Sequence, residues 1–197
     1  MTYSPAIPLV LVLLILLLGL LIFLVEMRIL TYAYRKVGVH PRYAFAVMLL
    51  SLLGSHVNIP LYATPGGTVV ALNVGGALIP ILVSLYLVAH TGMLVRMLIG
   101  TALVAVIVHQ IAYVVPGVGI AVPMLVPPLV AAGVALILAF RRAPPVAYVS
   151  GSMGTLVGAD LLNLRQIGRL GAPLVSIGGA GTFDGVFLTG ILAGLLA

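Results

Sequence analysis

The sequence predicts an all-α fold, a polytopic membrane helix bundle of about seven transmembrane helices that forms one integral-membrane domain over residues 1–197. Hydrophobic residues make up 63% of the chain and charged residues 6%, whereas soluble domains carry about 25% charged residues. Each transmembrane helix needs about 20 apolar residues, so the chain length accommodates about seven spans with short loops. No stretch remains for a separate soluble catalytic domain.

Short segments rich in Pro, Gly or charge separate the predicted spans. The first span runs from Pro8 to Val25 without a cleavage signature, so we interpret it as a retained anchor. Residues 25–42 then carry four basic side chains among Leu and Tyr at helical spacing, which predicts an interfacial amphipathic helix. The other predicted spans are Tyr43–Tyr62, Thr68–Ala89, Met93–Val115, Val118–Phe140, Val146–Leu164 and Leu174–Ala197.

The basic residues predict a cell-membrane protein whose N-terminus lies outside. This orientation places seven of the nine Lys and Arg residues in cytoplasmic segments, as the positive-inside rule expects. Those seven are Arg28, Arg35, Lys36, Arg42, Arg96, Arg141 and Arg142. Arg165 and Arg169 are the exceptions and need another partner, such as an acid or a lipid headgroup. Because the basic residues flank apolar spans, the predicted partner is the lipid bilayer and not a nucleic acid.

The sequence also contains a faint internal repeat. Leu53–Asn58 resembles Val157–Asn163, and Val74–Ala77 resembles Ile177–Ala180 at nearly the same offset. The similarity predicts that spans two and three are a parallel copy of spans six and seven, as in some small transporters. Chance similarity is the alternative, since the chain contains 23 glycines.

Two of the three acidic residues fall in predicted spans. An ionised Asp160 or Asp184 at bilayer depth costs at least about 2.5–3.5 kcal/mol, which makes both functional-site candidates. Two carboxylates within reach of each other share a proton, so we predict a catalytic pair that activates water and protonates a carbonyl oxygen. The alternatives are a transporter or channel that binds protons, cations or substrate at the pair, and a structural pairing with arginine or backbone amides.

Glycines surround both acidic residues. Gly154 and Gly158 are four residues apart in the sequence, a spacing that brings helix backbones close together. Gly179 and Gly181 precede Asp184 and permit irregular backbone beside a water-filled cavity. We assign these two glycines to substrate binding.

His56, Asn58 and Asn73 are the other predicted substrate-binding residues. His56 lies at the repeat position equivalent to Asp160, so these side chains and the Asp pair are expected to surround a shared polar centre. A metal held by one imidazole and two carboxylates is an alternative, as is a simple interhelical hydrogen bond of the histidine. The sequence has no zinc-protease, serine-hydrolase or phosphate-loop motif. We therefore predict no metal and no other cofactor.

Residues 179–193 resemble the second catalytic helix of intramembrane aspartyl proteases of the presenilin and signal-peptide-peptidase type. That family carries Gly-x-Gly-Asp and then an apolar run with small residues, whereas here two extra residues precede Asp184. Asp160, one span earlier, resembles the family's first catalytic Asp. The resemblance implies hydrolysis of a membrane-embedded peptide. The chain as a whole resembles an uncharacterised prokaryotic integral-membrane family of unknown function, which implies a fold and no activity.

Overall fold

The computed structural model describes residues 6–115, 119–167, 172–179 and 185–197, and helices predominate in them. The helices are α1 (Ala6–Lys36), α2 (Pro41–Gly54), α3 (Ile79–Thr91), α4 (Leu94–Ile111), α5 (Val126–Ala139), α6 (Ala143–Thr155), α7 (Leu164–Ile167) and α8 (Gly185–Leu196). A π-helical segment, Val74–Leu78, leads into α3, and a second, Leu156–Asp160, extends α6. Two 3-10 turns cover Phe140–Arg142 and Leu161–Asn163. The broad prediction of a helical protein is confirmed.

Within the described part of the chain, five short strands form two sheets that the sequence analysis did not predict. In the first sheet, β2 (Val69–Asn73) pairs antiparallel with β1 (Asn58–Ala63) and parallel with β5 (Leu174–Ile177). In the second, β3 (Tyr113–Val115) and β4 (Gly119–Ala121) form an antiparallel hairpin. These strands lie where the helices were predicted to begin or end.

The strands correct the extent of five predicted spans. The span predicted at Tyr43–Tyr62 is helical only to Gly54, and Pro60, which cannot donate a helical hydrogen bond, lies in β1. The span predicted at Thr68–Ala89 begins with β2, since the Thr64-Pro65-Gly66-Gly67 turn reverses the chain into a hairpin. The spans predicted at Met93–Val115, Val118–Phe140 and Leu174–Ala197 also include strand residues.

Four helical segments of the described residues are long and apolar enough to cross a membrane. They are Leu11–Lys36, Val74–Thr91, Leu94–Ile111 and Val126–Gln166, and α2 and α8 are shorter apolar helices. The last segment folds back on itself at Phe140, where φ is +20°, so that α5 packs against α6. These helices support a membrane protein, whereas the count of seven spans and the parallel repeat stay predictions.

Helix α6 lies at the centre of the bundle, where it contacts α3, α4, α5 and α8. Its two predicted packing glycines face α4. A Cβ atom at Gly154 would lie 2.6 Å from the Cβ of Val104, and one at Gly158 would lie 3.0 Å from the Cα of Ala105. The predicted close packing through this glycine pair is confirmed, and it fixes the second π-helical segment against α4.

Helix α1 is continuous from Ala6 to Lys36, so residues 25–36 prolong the first predicted span. Residues 11–25 are exposed along their whole length. Near its C-terminal end, the Tyr34 hydroxyl lies 3.3 Å from Ser51 Oγ of α2. Only this end of α1 is therefore integrated into the bundle, and the interfacial location of residues 25–42 stays a prediction.

Candidate functional site

Asp160 is the last residue of the π-helical segment that extends α6. Single π-helical turns inside longer helices are frequent at functional sites. The side chain is half-buried, and its Oδ2 accepts a hydrogen bond of 2.7 Å from the backbone N–H of Gly178. Because such a bond to a carboxylate is charge-assisted, it holds the side chain in one orientation.

Gly178 follows β5 and has a φ of +84°, a conformation that favours glycine. A Cβ atom at this position would lie 2.6 Å from the Cβ of Ala77 in the first π-helical segment. The absence of a side chain therefore lets β5 end against this segment. The same close approach presents the Gly178 N–H to Asp160.

A cavity of about 270 Å³ adjoins the Asp160 carboxylate. Its wall combines apolar side chains with the hydroxyl-bearing residues Thr155 and Thr189, a mixture typical of ligand sites. Thr155 is buried, and its Oγ1 forms no hydrogen bond to any residue that the structure describes. The cavity has room for several waters. The complete lining is Ile120, Ala121, Val122, Met124, Thr155, Ala159, Asp160, Gly185, Val186, Leu188 and Thr189.

Asn163 supports this site, although the sequence analysis gave it no role. Its buried Nδ2 lies 3.0 Å from the carbonyl oxygen of Gly158 and 2.9 Å from that of Ala159. The same nitrogen lies 3.2 Å from His109 Nδ1 on α4. Because a π-helical turn displaces carbonyls from the regular α-helical pattern, the amide compensates for the lost bonds. The available signal was a polar residue three positions after Asp160, a spacing that brings helical residues together.

A second polar cluster joins the larger sheet to the helices. Asn73 is fully buried, and its Oδ1 accepts a hydrogen bond of 2.7 Å from the Gly76 N–H. Its Nδ2 donates to the Ser55 carbonyl at 2.8 Å and to Asn58 Oδ1 at 3.0 Å. Ser176 Oγ donates to the same Asn58 oxygen at 2.8 Å. Asn73 therefore caps the first π-helical segment and fixes it to α2, β1 and β5.

The predicted polar residues of spans two and three do not lie together at the cavity. Asn58 and Asn73 are hydrogen-bonded to each other, but neither is among the described residues that line the cavity beside Asp160. His56 is exposed, and its Nδ1 lies 3.2 Å from Ser55 Oγ. Their roles in substrate binding stay predictions.

The remaining predicted site residues precede α8 in the sequence. Gly179 has a φ of +75°, and its N–H donates to the Ser176 carbonyl at 3.1 Å. Gly181 and Asp184 lie outside the described residues. Within those residues, no group of three His, Cys, Asp or Glu side chains could hold a metal ion.

The model of one family, described as "Protein of unknown function (DUF1614)", matches residues 20–196. The match contains Asp160, Asp184 and both polar clusters. No curated protein and no solved structure matches the chain. The predicted resemblance to an uncharacterised family is confirmed, whereas the resemblance to aspartyl proteases gains no support from these comparisons.

Proposed function

The chain belongs to the DUF1614 family of proteins of unknown function, and we propose that it is an intramembrane aspartyl-type hydrolase that cleaves a peptide bond within the bilayer. One observation carries the proposal. The cavity beside the Asp160 carboxylate is also lined by Gly185, the residue that follows Asp184 in the chain. This shared lining supports a common site for the two carboxyl groups.

The proposed chemistry needs two carboxyl groups that share one proton. Two carboxylates in one confined site do not both ionise at low cost, so they titrate as a coupled pair. The ionised member takes a proton from water as its oxygen bonds to the peptide carbonyl carbon, and the protonated member donates to the carbonyl oxygen. When the tetrahedral intermediate collapses, the C–N bond breaks, the leaving nitrogen takes a proton from the pair, and a hydroxyl of the intermediate returns a proton to the pair as the new carboxyl group forms.

The surroundings of Asp160 support this role in two ways. The Gly178 N–H donates a hydrogen bond to Asp160 Oδ2 and so orients the carboxyl group before substrate binds, as efficient proton transfer requires. Apolar walls from β4 and α8 suit an apolar peptide segment.

The test is cleavage of synthetic single-span peptides that are co-reconstituted with the full chain in lipid vesicles, with products identified by mass spectrometry. We expect Asp160→Asn and Asp184→Asn each to lower the cleavage rate by about 10²–10⁴-fold, the usual contribution of a general acid or base. Glu26→Gln is the matched control, since it removes the third acid of the chain. Equal cleavage by all four proteins would contradict the proposal.

The alternative is a small transporter or channel that binds protons or cations at the same two acids. The π-helical interruptions of two membrane-length helices favour it, because irregular helices often form ion sites in transporters. The same vesicles, loaded with a pH-sensitive dye, separate the two functions. Proton flux that both Asp variants abolish, without peptide cleavage by the wild type, would support transport and contradict hydrolysis.

A further inference from the structure

A pocket of about 400 Å³ lies near the start of α6, between chain segments that are distant in sequence. Lys36 ends α1, His90 lies in the last turn of α3, and Arg141 and Arg142 join α5 to α6. Asp160 lies 18 residues after Arg142 along α6 and its π-helical extension. At the helical rise per residue, this places the pocket about 27 Å from the candidate catalytic cavity. We call the pocket lined by Lys36, His90, Arg141 and Arg142 the basic pocket.

The basic pocket has an uncompensated positive charge. Its lining includes Lys36, Arg141 and Arg142 and no acidic residue among those that the structure describes. Glu26 precedes Lys36 by ten residues of the same helix, which corresponds to about 15 Å. Over the described ranges, neither arginine side chain forms a hydrogen bond or an ion pair. The pocket therefore attracts an anion without first breaking an internal salt bridge.

The available donors match a phosphate group. An arginine guanidinium presents paired N–H groups that fit two phosphate oxygens. Lys36 Nζ donates one hydrogen bond of 2.7 Å to the Leu195 carbonyl and retains two further N–H donors. The first turn of α6 contains Pro144 and Pro145, which have no N–H. Side chains rather than helix amides would therefore bind the anion.

Apolar surface adjoins the basic pocket. Phe140, immediately before Arg141, exposes 75% of its surface, and Ile137 exposes 85%. Acyl chains would cover such side chains in a bilayer, whereas a free phosphate ion would leave them without a partner. We infer that the basic pocket binds the phosphate headgroup of an anionic phospholipid, with the acyl chains beside the end of α5. This inference does not depend on the proposed hydrolase activity.

The test is a native mass-spectrometry titration of the full chain in detergent with phosphatidylglycerol, with phosphatidylcholine of the same acyl chains, and with inorganic phosphate. We expect tighter binding of phosphatidylglycerol than of phosphatidylcholine. The double variant Arg141→Gln/Arg142→Gln should weaken phosphatidylglycerol binding by about 25-fold, at about fivefold for each basic residue. Arg141→Lys/Arg142→Lys should recover part of that loss, because charge remains while the paired donors are lost.

The control is Arg96→Gln/Arg165→Gln, which removes the same charge from two exposed arginines outside the pocket. It should bind phosphatidylglycerol like the wild type. Circular dichroism should show that all variants fold, since both pocket arginines are exposed. Equal affinity for the two lipids, or equal losses in the two Gln double variants, would overturn the inference. Displacement of the lipid by an equal concentration of inorganic phosphate would also overturn it and indicate a free-anion site.

Discussion

Individual polar side chains stabilise the candidate site by bonding to backbone that is irregular. Asn163 compensates for carbonyls displaced in the second π-helical segment, and Asn73 caps the first. Both amides are buried, so their hydrogen bonds are costly to lose. The site is thus supported by amides that do not themselves touch the cavity.

Replacing Asn163 with alanine should lower the free energy of unfolding by about 1–3 kcal/mol, because the Gly158 and Ala159 carbonyls lose their buried donor. Denaturant titration of the purified protein in detergent measures this loss. Gln110→Ala removes an exposed amide near the end of α4 and serves as the control. Equal stability of the two variants would show that Asn163 does not support the π-helical segment.

Asp160→Asn should be less destabilising than Asp160→Leu, since the Asn side-chain oxygen still accepts the Gly178 N–H. We expect a difference of about 1 kcal/mol in the free energy of unfolding, the net contribution of one such bond. Thermal unfolding of both variants in the same detergent gives the comparison. If Leu were tolerated as well as Asn, the bond would not position the carboxyl group. The Asn variant is therefore the right one for separating chemistry from folding.

Close contacts between secondary-structure elements depend on glycines at particular positions. Gly178, which follows β5, lies between the two π-helical segments. Its Cα packs closely against Ala77 of the first segment, and its N–H donates to Asp160 of the second. Gly154 and Gly158 play the same part between α6 and α4. The larger sheet and the two π-helical segments therefore support the Asp160 carboxyl group together.

Gly178→Ala should destabilise the protein by at least about 1–3 kcal/mol, the usual cost of a non-glycine residue held in a strained conformation. It should also lower any cleavage activity, because β5 must move away from Ala77 and take the Gly178 N–H with it. Gly133→Ala on α5 is the control, since a Cβ there meets nothing within 4 Å. This control should be neutral or slightly stabilising. Equal effects of the two substitutions on the melting temperature would contradict the account.

The sequence predicts the helices better than the site. Long apolar runs suffice to indicate α1, α4 and α5. The spacing of Gly154 and Gly158 indicates a close helix contact, which the structure forms between α6 and α4. The strands were missed because residues 58–63 and 69–73 are as apolar as the helices, although Pro60 argues against a helix there. The cavity was not predictable, since it needs β4 and α8 to meet the end of α6, and the sequence does not specify such distant contacts.

The molecule as a whole has two chemically different ends. The basic pocket lies beside the start of α6, and Asp160 lies at the end of the π-helical segment that prolongs this helix. The predicted orientation, with the basic end in the cytoplasm, would place the candidate catalytic cavity toward the outer side of the membrane.

This orientation can be tested directly because the chain has no cysteine. Ala63→Cys at the β1–β2 hairpin should react with a membrane-impermeant maleimide on intact cells, since the residue is exposed and predicted to lie outside. His90→Cys, exposed at the basic end, should react only after permeabilisation. The opposite labelling pattern would reverse the predicted topology.

The most direct measurement of the central claim is the shortest distance between the carboxyl oxygens of Asp160 and Asp184 in an experimental structure determined in lipid. The account predicts a direct hydrogen bond or one bridging water, which corresponds to at most about 5.5 Å, with both groups open to the cavity. A wider separation, with packed side chains between the two carboxyl groups, would contradict the proposed proton-sharing pair.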